Sequence, residues 1–363
     1  MLPFIVEKHT VWERLQQAQR DGRPVILYGM GNGADKIIDW CEAHGVKVSG
    51  IFASDAFVRH QSFRALTVRS YGEIIEAFGQ DIFIVIAFAS ELPEVLARFR
   101  ELARLHPGNV VAPHLPLFAE AELVSHKWLE RYAKELLSVY ERLADEQSRR
   151  VFAAALNYKL SGSIDYLFAV ETRREDDLRQ LFSFGDGEVY MDLGAYNGDT
   201  VLEFLRLTDG RCQKIIAAEP DRRSCRKLRA LVEEKALSQV AVHECGIWSE
   251  RGQLGFSDSG GRQSTFCAAA KRLTPVDTID NLAQDDNITC IKMDLEGAEM
   301  QALAGARRTL RRCMPKLLAA AYHYDADIFR LPLALWELAP DYRIYLRKHP
   351  YVPAWELNFF CVK

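Results

Sequence analysis

In the second half of this 363-residue chain, carboxylates and glycines recur at the ends of apolar runs, a pattern that suits the binding of a charged ligand. Residues 189–200 read V-Y-M-D-L-G-A-Y-N-G-D-T. Val189 to Asp192 reads as a buried parallel strand ending on a carboxylate. Gly194 and Gly198 then permit a tight turn into a helix beginning near Asp199 and Thr200. A strand, a glycine turn and a helix N-terminus present bare backbone N–H groups and the positive end of a helix dipole. The dinucleotide fingerprint G-x-G-x-x-G fails here, because Tyr196 stands two residues after Gly194. The spacing that remains, Asp-x-Gly-x-x-x-Gly, suits S-adenosylmethionine, whose ammonium matches a carboxylate and whose carboxylate matches a helix N-terminus. Asp192 as a plain helix cap is the competing reading, and the two-glycine turn behind it favours the ligand.

Three more carboxylate-bearing ends follow. A strand at Lys214–Ala218 runs into Glu219, with Pro220 and Asp221 able to open the next helix. Glu219 lies 21 residues beyond Gly198, the distance at which an acid chelates ribose hydroxyls in such folds. I-K-M-D-L-E-G-A-E at 291–299 reads as a buried strand ending in Asp294, Glu296 and Glu299. Alternation along an extended segment would point Asp294 and Glu296 in opposite directions, one toward a ligand and the other bracing the loop. A last strand, Lys316–Tyr322, runs into Tyr322-His323-Tyr324-Asp325. Ligands of open α/β sheets bind outside the carboxyl ends of the strands, so all four clusters should converge on one crevice. The other eight of the nine histidines show no H-x-x-x-H or H-x-H spacing, so no metal is expected. Asp294, Glu296 and His323 would share one only if their loops converge.

These blocks resemble the FkbM-like family of S-adenosylmethionine-dependent methyltransferases. The resemblance is carried by D-L-G-A-Y-N-G-D-T at 192–200, A-E-P-D at 218–221, I-K-M-D-L-E-G-A-E at 291–299, A-L-A-G-A at 302–306 and Y-H-Y-D-A-D at 322–327. L-A-D-E-Q-S-R at 143–149 resembles the segment preceding the catalytic domain in bacterial members. The resemblance covers roughly the last 220 residues well and the first 120 loosely. It implies a Rossmann-like class I methyltransferase sheet of seven strands with an antiparallel last strand. It also implies O-methylation of a hydroxyl on a sugar, glycan or natural product.

The cofactor residues expected are Asp192, Gly194, Ala195, Tyr196, Asn197, Gly198 and Thr200 from the first block, and Glu219, Pro220 and Asp221 from the second. Gly246 and Asp294 complete the set. In-line methyl transfer needs alignment and a base for the acceptor proton, and the candidates are Asp294, His323 and Glu296.

Around this lies an α/β organisation. Thr10 and Glu13 form a capping box for a helix whose Val11, Leu15 and Ala18 share a face. Strands at Val25–Tyr28, Val46–Phe52, Ile82–Phe88 and Val110–Ala112 alternate with helices at Asp35–Ala43 and Leu92–Leu105, describing a smaller doubly wound domain at 1–118. A helical bridge is expected at 119–186 and the methyltransferase domain at 187–363. Its last strands, Tyr342–Arg347 and Trp355–Val362, flank H-P-Y-V-P, too short for a crossover helix, so they should pair antiparallel. Gly29-Met30-Gly31-Asn32-Gly33-Ala34 fits G-x-G-x-x-A, with Asp55 21 residues on. Asp55 falls beyond the strand, which favours a Rossmann-like module without a nicotinamide. An oxidoreductase acting through this turn, or a non-catalytic binder of cofactor or nucleotide sugar, are the rival classes. Gly255–Ser264 reads as a substrate lid or a surface loop.

The net charge of −4 gives no electrostatic case for nucleic acid or an anionic membrane. Eight cysteines without a C-x-x-C pair, and an N-terminus unlike a signal peptide, point to a reduced, cytoplasmic setting. The partners expected are a small-molecule or glycan acceptor, with a homo-oligomer left open.

Overall fold

The computed structural model describes residues 2–118, 121–257, 265–266 and 272–363. It divides into two compact units, Met1–Leu137 with Arg149–Thr172 and Lys348–Glu356, and Ser138–Ser148 with Arg173–Arg347 and Leu357–Lys363. The helical run at 119–186 is thereby shared between the two. Most of the Gly255–Ser264 segment lies outside the described residues.

The first unit holds a six-stranded sheet of β1 (Val25–Tyr28), β2 (Val48–Phe52), β3 (Ser62–Phe63), β4 (Leu66–Arg69), β5 (Phe83–Ile86) and β6 (Val110–Val111), in the order β3-β4-β2-β1-β5-β6. V-I-L-Y and F-I-V-I are buried at every position, as parallel strands covered on both faces must be. The Thr10–Glu13 capping box forms as expected, and Val11, Leu15 and Ala18 are buried. The β3–β4 pair adds to the expected strands, and helix Tyr71–Phe78, between β4 and β5, opens on a second capping box of Ser70 and Glu73. In the Gly29–Ala34 turn, a Cβ on Gly33 would meet the Ala87 carbonyl oxygen at 2.2 Å, and one on Gly29 would meet the Phe88 ring at 2.3 Å. Those glycines are required by close packing whatever the turn binds. Asp55 starts a 3-10 turn, three residues past the end of β2.

The second unit is built on seven strands: β7 (Val189–Leu193), β8 (Lys214–Ala218), β9 (Val240–His243), then, beyond a side sheet, β14 (Cys290–Met293), β15 (Lys316–Ala320), β16 (Arg343–Lys348) and β17 (Leu357–Val362). The side sheet comprises β10 (Gly246–Ile247), β11 (Gly252–Ser257), β12 (Thr265–Phe266) and β13 (Arg272–Asp277). The main order is β16-β17-β15-β14-β7-β8-β9. Strands β15, β14, β7, β8 and β9 are linked by parallel pairs, and β17 runs antiparallel to β15. The last strand therefore inserts beside β15, leaving β16 at the edge. Strand order reverses between β7 and β14, the position at which open α/β sheets bind ligands beyond the strands' carboxyl ends. No helix among the described residues is long and apolar enough to cross a membrane.

The L-A-D-E-Q-S-R stretch has a structural task. Arg347 on β16 reaches Asp145 at 2.6 Å and Asp177 at 3.3 Å, and donates to the Ser148 hydroxyl at 2.9 Å. Burial alone would raise the Asp145 pKa, but Arg347 and Ser148 hold it below the usual range. Removing the guanidinium strands carboxylates in a desolvated place. Arg347→Ala should cost about 3–5 kcal/mol in urea unfolding, because breaking a buried ion pair leaves its partner uncompensated. A loss under about 1 kcal/mol would show the network to be dispensable.

Candidate active site

The glycine turn after β7 is closed by backbone bonds and one carboxylate. The amides of Gly194 and Ala195 both donate to the Ala218 carbonyl at 3.0 Å, and the Gly198 amide donates to Ala195 at 2.8 Å. Gly194 (φ +80°) and Gly198 (φ +92°) occupy backbone regions that a side chain disfavours, and Gly198 is the N-cap of helix Asp199–Leu207. A Cβ on Gly198 would also strike Leu231 at 2.6 Å and Leu228 at 2.8 Å. The Asn197 carboxamide accepts from the Asp199 amide at 3.3 Å.

Glu219, buried just past β8, accepts from the Tyr196 amide at 2.8 Å through one oxygen and from the Asp221 amide at 2.8 Å through the other. It thus ties the turn to the tip of β8. Each oxygen keeps a second lone pair for an incoming hydroxyl. Burial pushes the Glu219 pKa up to about 7 even against these two amide bonds. Pro220 follows, and Asp221 caps helix Arg222–Glu234 by accepting from the Ser224 amide at 2.8 Å. Gly246 lies in the side sheet, paired with Val276.

Asp192 differs from its expected position. The strand continues to Leu193, so Asp192 is inside it and fully buried rather than at its tip. Thr200 donates to its carboxylate at 2.6 Å, and Lys292, its cross-strand partner on β14, lies 3.3 Å away. Burial raises the Asp192 pKa against the pull of Lys292 and Thr200. For Lys292, burial lowers the pKa, but Asp192 and Asp294 more than offset it. The same ammonium donates to the Gly194 carbonyl at 2.6 Å, so the pair fixes the root of the turn. Lys292 was missed; a lone lysine inside the apolar run C-I-K-M was its signal.

The second cluster forms past β14 and β15. Tyr322 donates to Asp294 at 3.0 and 3.2 Å. His323 Nε2 lies 3.5 Å from Asp294 Oδ1 and 3.4 Å from Glu296 Oε2, while Nδ1 lies 2.9 Å from Glu299 Oε1. Asp294 and Glu296 therefore face the same nitrogen rather than opposite directions. The cause is that β14 ends at Met293, and Glu296 (φ +51°) and Gly297 (φ +95°) curl the chain back, so period-two alternation no longer applies. Glu299, at the start of helix Glu299–Ala304, also accepts from the Leu295 amide at 2.8 Å and locks that curl.

Exposure separates the roles. The side chains of Asp294 and Glu296 are 32% and 31% exposed, whereas that of His323 is 0% exposed. Burial lowers the His323 pKa, but Glu299, Glu296 and Asp294 together hold it well above the usual range. That enclosure and that charge suit a positioning role better than the near-neutral proton transfer expected from its type. The Glu299 pKa stays below the usual range because His323 and the Leu295 amide outweigh its burial. Burial raises the Glu296 pKa.

The two clusters touch. A Cβ on Gly194 would sit 2.0 Å from the Asp294 carbonyl oxygen, so the turn and the carboxylates share one rim. Residues 192–353 match the family model described as the methyltransferase FkbM domain. The chain is also similar to the crystal structure of methyltransferase FkbM from Methylobacillus flagellatus KT, at 22% identity and a TM-score of 0.71, covering 96% of this chain and 92% of that one. A putative methyltransferase from Streptococcus mutans in complex with SAH is similar at 14% identity and a TM-score of 0.33, covering 52% of this chain and 94% of that one. Aeropyrum pernix fibrillarin with bound S-adenosyl-L-methionine is similar at 13% identity and a TM-score of 0.32, covering 52% and 73%. No curated protein matches the chain significantly. The matched stretch spans all of the candidate residues from Asp192 to His323, including the Lys292 and Glu299 that complete the two clusters.

Proposed function

We propose that this chain is an S-adenosylmethionine-dependent O-methyltransferase whose acceptor is a hydroxyl on a sugar, glycan or natural product. The observation that carries this reading is the contact between the Gly194 turn and Asp294, which sets a cofactor cradle beside half-exposed carboxylates. The helix N-terminus at Gly198 suits the cofactor's carboxylate, and Glu219 suits its ribose hydroxyls. Asp294, oriented by the Tyr322 hydroxyl, takes the acceptor's proton as its oxygen forms a bond to the methyl carbon. The carbon–sulfur bond breaks in line, and S-adenosylhomocysteine leaves. His323 and Glu299 hold the geometry from behind. Glu296 is the second exposed carboxylate within reach of that proton.

Cofactor binding tests the reading directly. S-adenosylhomocysteine at a hundred times its Kd should stabilise the folded chain by about 2.7 kcal/mol, read as a raised Tm. Glu219→Ala should abolish the shift while the unliganded protein stays folded. Absence of a shift in the wild type would remove the assignment.

The raised pKa of Glu219 adds a pH dependence with a fixed sign. Without ligand, the folded chain holds this proton between about pH 4.5 and 7, so the group's contribution to stability falls as pH rises through that window. Ribose hydroxyls donate to the ionised form. Cofactor affinity should therefore rise about tenfold per unit as pH climbs toward 7, then level off. Calorimetry at several pH values checks this, and Glu219→Gln should flatten the profile.

A further inference from the structure

We infer that the cluster past β14 and β15 is a divalent-cation site, with His323 Nε2, Asp294 and Glu296 as ligands and Glu299 holding the imidazole from its other side. The inference rests on the methyltransferase reading only for its use, not for its existence. Ligand atoms of Asp294, Glu299 and His323 all lie within 4.8 Å of one another. His323 is wholly buried, and its Nε2 makes no hydrogen bond of acceptable geometry. Burying a polar ring in that state is costly unless something else satisfies it.

The distances say what would satisfy it. Nε2 stands 3.5 Å from Asp294 and 3.4 Å from Glu296, too far for good N–H···O bonds. Two donors so spaced can instead share a cation about 2.1 Å from each. On the opposite edge, Nδ1 faces Glu299 at 2.9 Å, an outer carboxylate that fixes the tautomer and leaves Nε2 for the metal. Glu299 is itself anchored by the Leu295 amide, so this support is rigid. One imidazole with carboxylate oxygens suits Mn2+ or a similar first-row divalent ion. Three carboxylates crowded on one ring also carry the negative charge such an ion neutralises.

The use follows from the exposed side of Asp294 and Glu296. An acceptor hydroxyl binding the cation loses its proton more readily, because the metal stabilises the alkoxide. The proton passes to a neighbouring carboxylate and then to water, the alkoxide oxygen bonds to the methyl carbon, and the carbon–sulfur bond breaks.

Mn2+ alone, added to the full chain after chelator treatment, is the probe, followed by calorimetry and by loss of the free Mn2+ spin-resonance signal. One Mn2+ per chain should bind. Asp294→Asn and His323→Ala should each weaken it a hundredfold or more, and Glu299→Gln should weaken it 10–100-fold. If His323→Ala does not fold, Asp294→Asn and Glu296→Gln carry the comparison. No saturable Mn2+ in the wild type, or equal affinity in Asp294→Asn, overturns the inference. S-adenosylhomocysteine binding is measured alongside: a normal cofactor shift without Mn2+ binding sinks the cation site alone, and Mn2+ binding without a cofactor shift sinks the methyltransferase reading alone.

Discussion

Asp294→Asn should lower methyl transfer to the true acceptor by roughly 10²–10⁴-fold while leaving cofactor affinity within about twofold. The substitution keeps the shape and the Tyr322 contact but removes the charge that accepts a proton. Asp294 lies beside the cofactor turn through its backbone carbonyl, which the variant retains, so cofactor binding has no reason to change. On the proposed reading, the partly exposed Asp294 and Glu296, with His323 enclosed behind them, are the two proton acceptors to compare. Glu296→Gln is therefore the informative companion. A large loss in Glu296→Gln with near-normal turnover in Asp294→Asn would transfer the role from one to the other. Release of S-adenosylhomocysteine across a panel of sugars and hydroxylated small molecules supplies the assay. Near-normal turnover in both variants would place the proton acceptor elsewhere.

Much of this site is legible in the chain because strand ends and glycine turns are local features. V-Y-M-D-L-G-A-Y-N-G-D-T predicts a strand, a turn and a helix start, and the structure has β7, the left-handed Gly194 and Gly198, and a helix from Asp199. E-P-D likewise predicts the end of β8 and a helix opened by Asp221. What the chain hides depends on neighbours distant in sequence. Asp192 reads as the tip of its strand because nothing nearby announces that the strand runs on to Leu193 and that Lys292, 100 residues later, is its cross-strand partner. Asp294 and Glu296 read as opposed because period two is assumed to persist, whereas the strand stops one residue before Asp294. The β3–β4 hairpin escapes notice because its strands are only two and four residues long, too short for a periodic signal. Glu299 is visible as one of a run of acids, but its bond to Leu295 and its place beside His323 are set by the curl. Local chemistry therefore names the candidates, and register and loop closure decide what each one touches.

Gly194→Ala should be the most damaging single-atom-scale change in the second unit. Two independent costs add. At φ +80° the backbone is in the left-handed region, where a Cβ costs about 1–2 kcal/mol. That Cβ would also sit 2.0 Å from the Asp294 carbonyl oxygen and 3.1 Å from its carbonyl carbon. Those atoms are backbone, so they cannot swing aside as a side-chain tip would. Relieving the overlap must move the turn away from the end of β14, at a further cost of about 1–3 kcal/mol. The variant should unfold with roughly 2–5 kcal/mol less stability and lose the S-adenosylhomocysteine shift, since the displaced turn includes the amides that Glu219 and Ala218 hold. Gly187→Ala is the control, an exposed glycine two residues before β7 where an added Cβ meets nothing within 4 Å. It should change stability by less than about 0.5 kcal/mol and leave cofactor binding intact. Equal urea midpoints for the two variants, with the cofactor shift preserved in both, would mean that the turn and Asp294 do not meet as described. The cradle and the carboxylates would then have to be treated as separate features rather than as one active site.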